Sequence, residues 1–356
     1  MLICYWFVIA AAAAAYFLAW VANKPKQTRD RATIVAFFAV YIGCVCCRSI
    51  FVGVDTVNYI RYFETGPFLG WDDVSYYGGI EQGFQCLSAV VSSFGGSRLF
   101  LFVCGLISLL PIAVLYYKES ESGPLCCSFF LISLLFEFFF SGLRQGIAVG
   151  IGVISFLFVK KGKLVPFLAA VALAVSMHSS AIVLLALYPL YHVKITQKWI
   201  PVVVIAMVAI YLERDVIFNG ILLPMFGGDY LSGYEYLSGS SNQGALSVLF
   251  IVLALYSCLM LDPEKADSET LGLRNILLLA AVIHIFTPLH PVVCRMNYYF
   301  IPFMPLALSR FNSRVKPILK PVEQVAAFVL PAFFVAYFLF AKDDSLSIAP
   351  YAPFFL

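Results

Sequence analysis

Asp55, Glu81 and His178 are the side chains in this 356-residue sequence best suited to move a proton, and Arg48, Arg144 and Arg295 those best suited to hold an anion. A carboxylate or an imidazole beside a nucleophilic hydroxyl can act as a general base. A guanidinium forks onto carboxylate or phosphate oxygens with two parallel hydrogen bonds. Combined, these groups suit transfer away from an anionic leaving group, whose developing charge arginines would meet. A helix over 54–63 would put Asp55, Tyr59 and Tyr62 on one face. Gln145 adds a polar group next to Arg144, and Tyr298 follows Arg295 in HPVVCRMNYYF, residues 290–300. Arg98 is a further candidate cation.

Each residue has an ordinary alternative. Loop acids such as Asp55 and Glu81 serve as solvated charges or helix caps, and a lone histidine is commonly a satisfied interior group. An arginine near a span end can reach the head groups. What favours chemistry is scarcity: 12% of residues are charged and 62% are hydrophobic, with a mean hydropathy of +0.91. Soluble proteins are about a quarter charged. Arg144 sits in FEFFFSGLRQGIAVGIG, residues 136–152, where two apolar runs meet with almost no loop between them. Intramembrane arginines normally face a partner or a polar cavity.

The elements that must position these groups are membrane spans. The expected fold is all-α and polytopic, a single transmembrane domain over 1–356 with about 11–12 membrane helices. Spans are expected at 2–22, 32–50, 98–117, 124–140, 143–159, 199–212, 244–261, 271–289, 296–309 and 323–341. A β-barrel is excluded, because it needs short alternating segments. The first run lacks a positive leader and a small-residue cleavage site, so it reads as a retained span. Segments 51–97 and 213–244 are the long polar stretches, and 84–94 reads as an interfacial helix. DYLSGYEY, 229–236, could line a saccharide groove with its tyrosines.

Basic loops stay cytoplasmic. Lys24, Lys26, Arg29 and Arg31 mark one such loop, Lys160, Lys161 and Lys163 a second, and Arg310, Arg314, Lys316 and Lys320 a third. The N-terminus is then outside, with segments 51–97 and 213–244 as outer-face loops. All three anchors agree only if 164–192 crosses an even number of times. Its roughly 30 residues are too few for two spans of about 20. A short hairpin with its outer tip at Met177-His178-Ser179-Ser180 resolves this, and gathers Asp55, Glu81, Arg144, His178 and Arg295 on the outer side.

Most of the ten cysteines lie in apolar runs and read as small buried hydrophobes. No spacing suits zinc, so no metal is expected. No phosphate-cradling glycine loop is present, so no nucleotide cofactor is called for and nucleic acid is not an expected partner. A phosphate ligand on the outer side of a membrane would arrive on a lipid carrier.

Four motifs in order, GVDTVNY (53–59), IEQGFQCL (80–87), SGLRQGIAVGI (141–151) and MHSSAIVLL (177–185), resemble the EpsG family. That family comprises bacterial exopolysaccharide proteins similar to Wzy-type O-antigen repeat-unit polymerases. The likeness covers roughly residues 40 to 310, and in the C-terminal third only RMNYY, 295–299, carries it. The resemblance implies a GT-C-like glycosyltransferase of the bacterial plasma membrane. Such enzymes join undecaprenyl-pyrophosphate-linked repeat units on the outer face, with lipid pyrophosphate as leaving group and no cofactor. It implies donor and acceptor glycans on lipid, the bilayer and a chain-length regulator as partners. In that chemistry Asp55, Glu81 or His178 would be the base. Arg144 and Arg295, with Arg48 or Arg98, would meet the pyrophosphate, helped by Tyr59, Gln145 and Tyr298. A transporter or flippase of lipid-linked sugars, a membrane sugar O-acyltransferase and a structural subunit of a secretion complex are the alternatives.

Overall fold

The computed structural model describes residues 2–70, 79–222, 224, 243–261, 266–289, 291–311, 313–315 and 351–353. The chain is an all-α polytopic membrane protein. Among the described residues four helices are long and apolar enough to cross a membrane: Ile3–Val21, Ser97–Glu119, Leu143–Lys160 and Ser268–Phe286. Shorter apolar helices cover Leu164–Met177, Ser179–His192 and Ile200–Leu212. Two compact units form, one from Met1–Leu185 with Val329–Leu356, the other from Ala186–Phe328.

The first unit begins with α1 (Leu2–Val21) and α2 (Lys26–Cys46), which pack along each other. The second span thus starts six residues before its expected position at 32 and ends at Cys46, which moves Arg48 into the connection that follows. Helices α3 (Thr56–Leu69) and α4 (Gln82–Ser92) are too short to span. Next come α5 (Ser97–Glu119), α6 (Gly123–Leu131), α7 (Leu134–Phe138), α8 (Leu143–Lys160) and α9 (Leu164–Met177).

The expected span at 124–140 is instead broken into α6 and α7. The break falls at Ile132–Ser133, where the Ser133 hydroxyl donates to the Phe130 carbonyl at 2.6 Å and competes with helical continuation. The segment packs into an aromatic cluster. Tyr41 stacks on Phe136 at 4.4 Å between ring centroids and donates its hydroxyl to the Phe136 carbonyl at 2.7 Å. Such a ring pair contributes about 0.5–1.5 kcal/mol beyond the area it buries.

Helix α8 lies close against α5. A Cβ on Gly150 would stand 2.2 Å from the Ile107 carbonyl oxygen, so only glycine permits this approach. Gly146, one turn earlier, faces Ser108. Small residues four apart let membrane helices approach until their backbones touch.

The basic connections of this unit share one end. Lys26 donates to the Glu121 carbonyl at 2.6 Å and Lys160 pairs with Glu119 at 2.7 Å, which joins the turns after α1, α5 and α8. At the other end lie the starts of α4 and α8 and the end of α9.

Beyond α9, residues Ser179–Ala186 form a 3₁₀ helix. The Leu184 side chain abuts Gly152, eight residues beyond Arg144 on α8. At about 1.5 Å per residue, eight residues are some 12 Å of α8. The chain therefore rises along α8 as α9, turns at His178 and descends again, as a hairpin with His178 at its tip.

The second unit contains α10 (Leu187–His192), α11 (Ile200–Leu212), α12 (Arg214–Ile217), α13 (Gln243–Met260), α14 (Ser268–Phe286), α15 (Pro291–Asn297) and α16 (Phe303–Phe311). The expected span 296–309 is split between α15 and α16 by turns over 298–302, whose last residue, Pro302, cannot donate to a helical ladder. Arg274 and Asn275 on α14 staple the chain after α10, donating to the carbonyls of Ile195 at 2.6 Å, Leu190 at 2.9 Å and Val193 at 2.7 Å. The expected span 323–341 lies outside the described residues.

Candidate active site

Arg144 is the second residue of α8, and its guanidinium reaches the start of α4. Nη1 donates to Glu81 Oε2 at 2.7 Å, with side chains 11% and 16% exposed. Nε donates to the Tyr59 hydroxyl at 3.4 Å, and the guanidinium carbon lies 5.8 Å from the Tyr59 ring centroid. Glu81 is the N-cap of α4 but caps nothing with its side chain. Its carboxylate turns outward, where Oε1 meets His178 Nδ1 at 3.0 Å and accepts the Ser179 amide at 2.9 Å. One carboxylate thus ties the first turn of α8 to the tip of the α9 hairpin.

The tie sets the histidine tautomer. Burial alone would raise the Glu81 carboxyl, but the His178 hydrogen bond, the Arg144 charge and the Ser179 amide outweigh it. Together they hold its pKa down at about 2, against an ordinary 4.5. An ionised carboxylate only accepts hydrogen bonds. His178 Nδ1 must therefore carry the proton in this contact, which leaves the lone pair of the neutral ring on Nε2. Glu81, with so low a pKa and both oxygens engaged, suits orienting a base rather than being one.

Asp55 precedes α3 and ties it to the turn before α8. Its amide donates to Ser141 Oγ at 3.1 Å, and Ser141 Oγ approaches Asp55 Oδ2 at 3.4 Å. Tyr59, one turn further on in α3, lies beside Arg144. Gln145 is buried. Arg48 lies apart from this cluster: it is 1% exposed and donates through Nη1 to the Val45 carbonyl. Arg98 stands in the first turn of α5. Arg295 and Tyr298 belong to the second unit, at the end of α15 and in the turn after it. His290 and the stretch 229–236 lie outside the described residues. Among the described residues no three His, Cys, Asp or Glu side chains group to hold a metal ion.

Gly83 carries no chemistry and was not legible as a site residue, yet it sets this geometry. A Cβ there would stand 2.3 Å from Ser176 Oγ and 2.7 Å from the Ser176 carbonyl oxygen. Gly83 follows Glu81 by two residues and Ser176 precedes His178 by two. The close approach of α4 to α9 is what brings carboxylate and imidazole within hydrogen-bond range. Gly83→Ala must push backbone from backbone, at a cost of about 1–3 kcal/mol for overpacking. A lower melting temperature for the purified variant is the expected result, and an unchanged one would mean the helices part freely.

Glu137 is a second residue that sequence reasoning passed over. It is buried and accepts the Tyr5 hydroxyl at 2.9 Å, fastening the start of α1 to α7. The signal was available, since a lone acid inside FEFFF must find a partner.

A family model described as the EpsG family matches residues 31–352. No curated protein and no solved structure matches the chain.

Proposed function

This chain belongs to the EpsG family, whose general role is Wzy-like polysaccharide polymerisation, and from that premise we propose a specific reaction for it. The chain is a GT-C-like glycosyltransferase of the bacterial plasma membrane that joins repeat units carried on undecaprenyl pyrophosphate. The growing glycan moves from its lipid to a hydroxyl at the nonreducing end of a fresh lipid-linked unit. The observation that carries this reading is the shared Glu81 carboxylate, with Arg144 at 2.7 Å on one oxygen and His178 at 3.0 Å on the other. An anion-binding cation and an oriented base are held side by side.

In the proposed step the acceptor hydroxyl gives its proton to His178 Nε2 as its oxygen attacks the anomeric carbon of the donor. The bond from that carbon to the diphosphate breaks, and the electron pair leaves with the lipid diphosphate. Arg144 meets the departing charge. Its fork has five N–H donors, of which Nη1 engages Glu81 Oε2 and Nε the Tyr59 hydroxyl. Tyr59 offers a ring face and a hydroxyl beside the sugar or phosphate. Asp55, tied to Ser141, is the alternative base.

Outer-face placement is supported by charge, because the two basic connections of the first unit, after α1 and after α8, gather at the end opposite Glu81, Arg144 and His178. A cysteine replacing Ser179, at the hairpin tip, is expected to react with a membrane-impermeant maleimide from the outer side of intact cells. Labelling from the cytoplasmic side alone would invert the topology.

The deciding experiment is reconstitution of the purified chain, without a chain-length regulator, together with lipid-linked repeat units. A ladder of longer glycans is expected. Movement of the lipid across the bilayer with unchanged glycan length would favour a transporter instead.

A further inference from the structure

Two cavities meet at the basic end of the first unit, away from Glu81, Arg144 and His178. One is an apolar groove of about 420 Å³ between α5 and α8, lined from Leu106 to Glu119 on the first and from Val153 to Leu157 on the second. The other is a polar cavity of about 370 Å³, whose lining includes Lys26, Asp30, Arg31, Tyr117, Lys118 and Glu121. Lys118 lines both.

Their dimensions and charges describe one kind of molecule. From Leu106 to Lys118 is about 18 Å of helix. Half of a hydrocarbon core is about 15 Å. The groove therefore runs the depth of one leaflet and opens beside the polar cavity at its basic end. Inside that cavity Asp30 is neutralised by Lys26 at 2.7 Å. Among the described residues neither Arg31 nor Lys118 has a carboxylate partner, and Arg31 rests 5.0 Å from the Tyr117 ring centroid. Glu119, at the end of the groove, is paired with Lys160 at 2.7 Å, so Arg31 and Lys118 stand against the carboxylate of Glu121. Basic pockets between membrane helices at the cytoplasmic side suit phosphate-bearing head groups.

We propose that this composite site holds an anionic phospholipid of the leaflet at the basic end, with its head group between Arg31 and Lys118 and one acyl chain along the α5–α8 groove. A lipid diphosphate bound at Arg144 would have its head group at the opposite end, so the two lipids do not compete. The inference rests on membrane embedding and not on the proposed polymerisation, and its test reads no activity.

Native mass spectrometry of the full chain in detergent, titrated with dioleoyl phosphatidylglycerol and dioleoyl phosphatidylcholine, tests it. Preferential retention of phosphatidylglycerol is expected. Arg31→Gln and Lys118→Gln should each weaken it about fivefold, as loss of one basic residue near a membrane surface implies. Val114→Trp, on the exposed wall of the groove, should weaken the dioleoyl lipid while sparing a dihexanoyl phosphatidylglycerol. Equal retention of the two lipids, or retention indifferent to all three substitutions, overturns the proposal. Displacement by inorganic phosphate as effective as by phosphatidylglycerol also overturns it, since the ligand would then be a free anion.

Discussion

Arg144→Lys is expected to lower polymer formation by roughly 10²–10³-fold, the loss seen when one preorganised donor to a developing charge is removed. The protein should still insert and accumulate. Lysine keeps the positive charge and can still pair with Glu81, but it is a point charge without a planar fork. It cannot hold Glu81 Oε2 at one nitrogen, approach Tyr59 with another and still present parallel donors to a diphosphate. The substitution is therefore cleaner than Arg144→Ala. Alanine would leave the half-buried Glu81 without its cation, and breaking a buried pair from one side costs about 3–5 kcal/mol. Inactivity of the alanine variant would then mix chemistry with folding. The measurement is glycan ladder length in proteoliposomes, with membrane abundance and melting temperature as controls. A lysine variant with full ladders would reduce Arg144 to an arginine reaching for head groups, and the proposed role would fall.

What could be read from the sequence divides along physical lines. Composition and run length led to the all-α membrane fold, because an apolar stretch of span length has few other uses. The spans at 98–117 and 143–159 correspond closely to α5 and α8. The charge anchors led to a hairpin tip at His178, which the contact of Leu184 with Gly152 bears out. Local breaks were less legible. At 124–140 the apolar pattern continues unbroken, while the Ser133 hydroxyl and the aromatic cluster divide the helix. The members of the site could be picked out as rare polar groups in apolar surroundings. Their pairing could not, because Glu81 stands 63 residues from Arg144 and 97 from His178. The packing of α4 on α9 joins Glu81 to His178, and that packing depends on Gly83, whose contribution is the absence of a side chain. Arg48 looks like Arg144 in sequence, yet its guanidinium turns to the Val45 carbonyl. Nothing local distinguishes an arginine that satisfies its own backbone from one that reaches across to another helix.

His178 and Glu81 separate by their pH profiles. With its carboxyl held at about 2, Glu81 is ionised throughout the range in which the reaction would be assayed. A limb in the pH–rate profile within that range therefore cannot be its titration, and would be that of the base itself. His178→Ala should cost roughly 10²–10⁴-fold in rate, the usual worth of a positioned base. It should also remove that limb. Glu81→Gln keeps the shape but not the charge. A neutral amide can still accept from His178 Nδ1 through its oxygen, but it then turns an N–H donor toward Arg144 and sets two donors facing. The rate should fall, and the surviving limb should move to lower pH. The sign follows from electrostatics: the carboxylate favours the protonated imidazole, and without it the ring loses its proton earlier as pH rises. A residue that merely held the fold would lower the amount of active protein without moving the limb. Should His178→Ala keep wild-type rate and profile, the proton must go elsewhere, and Asp55, fastened to Ser141 three residues before Arg144, becomes the base to test.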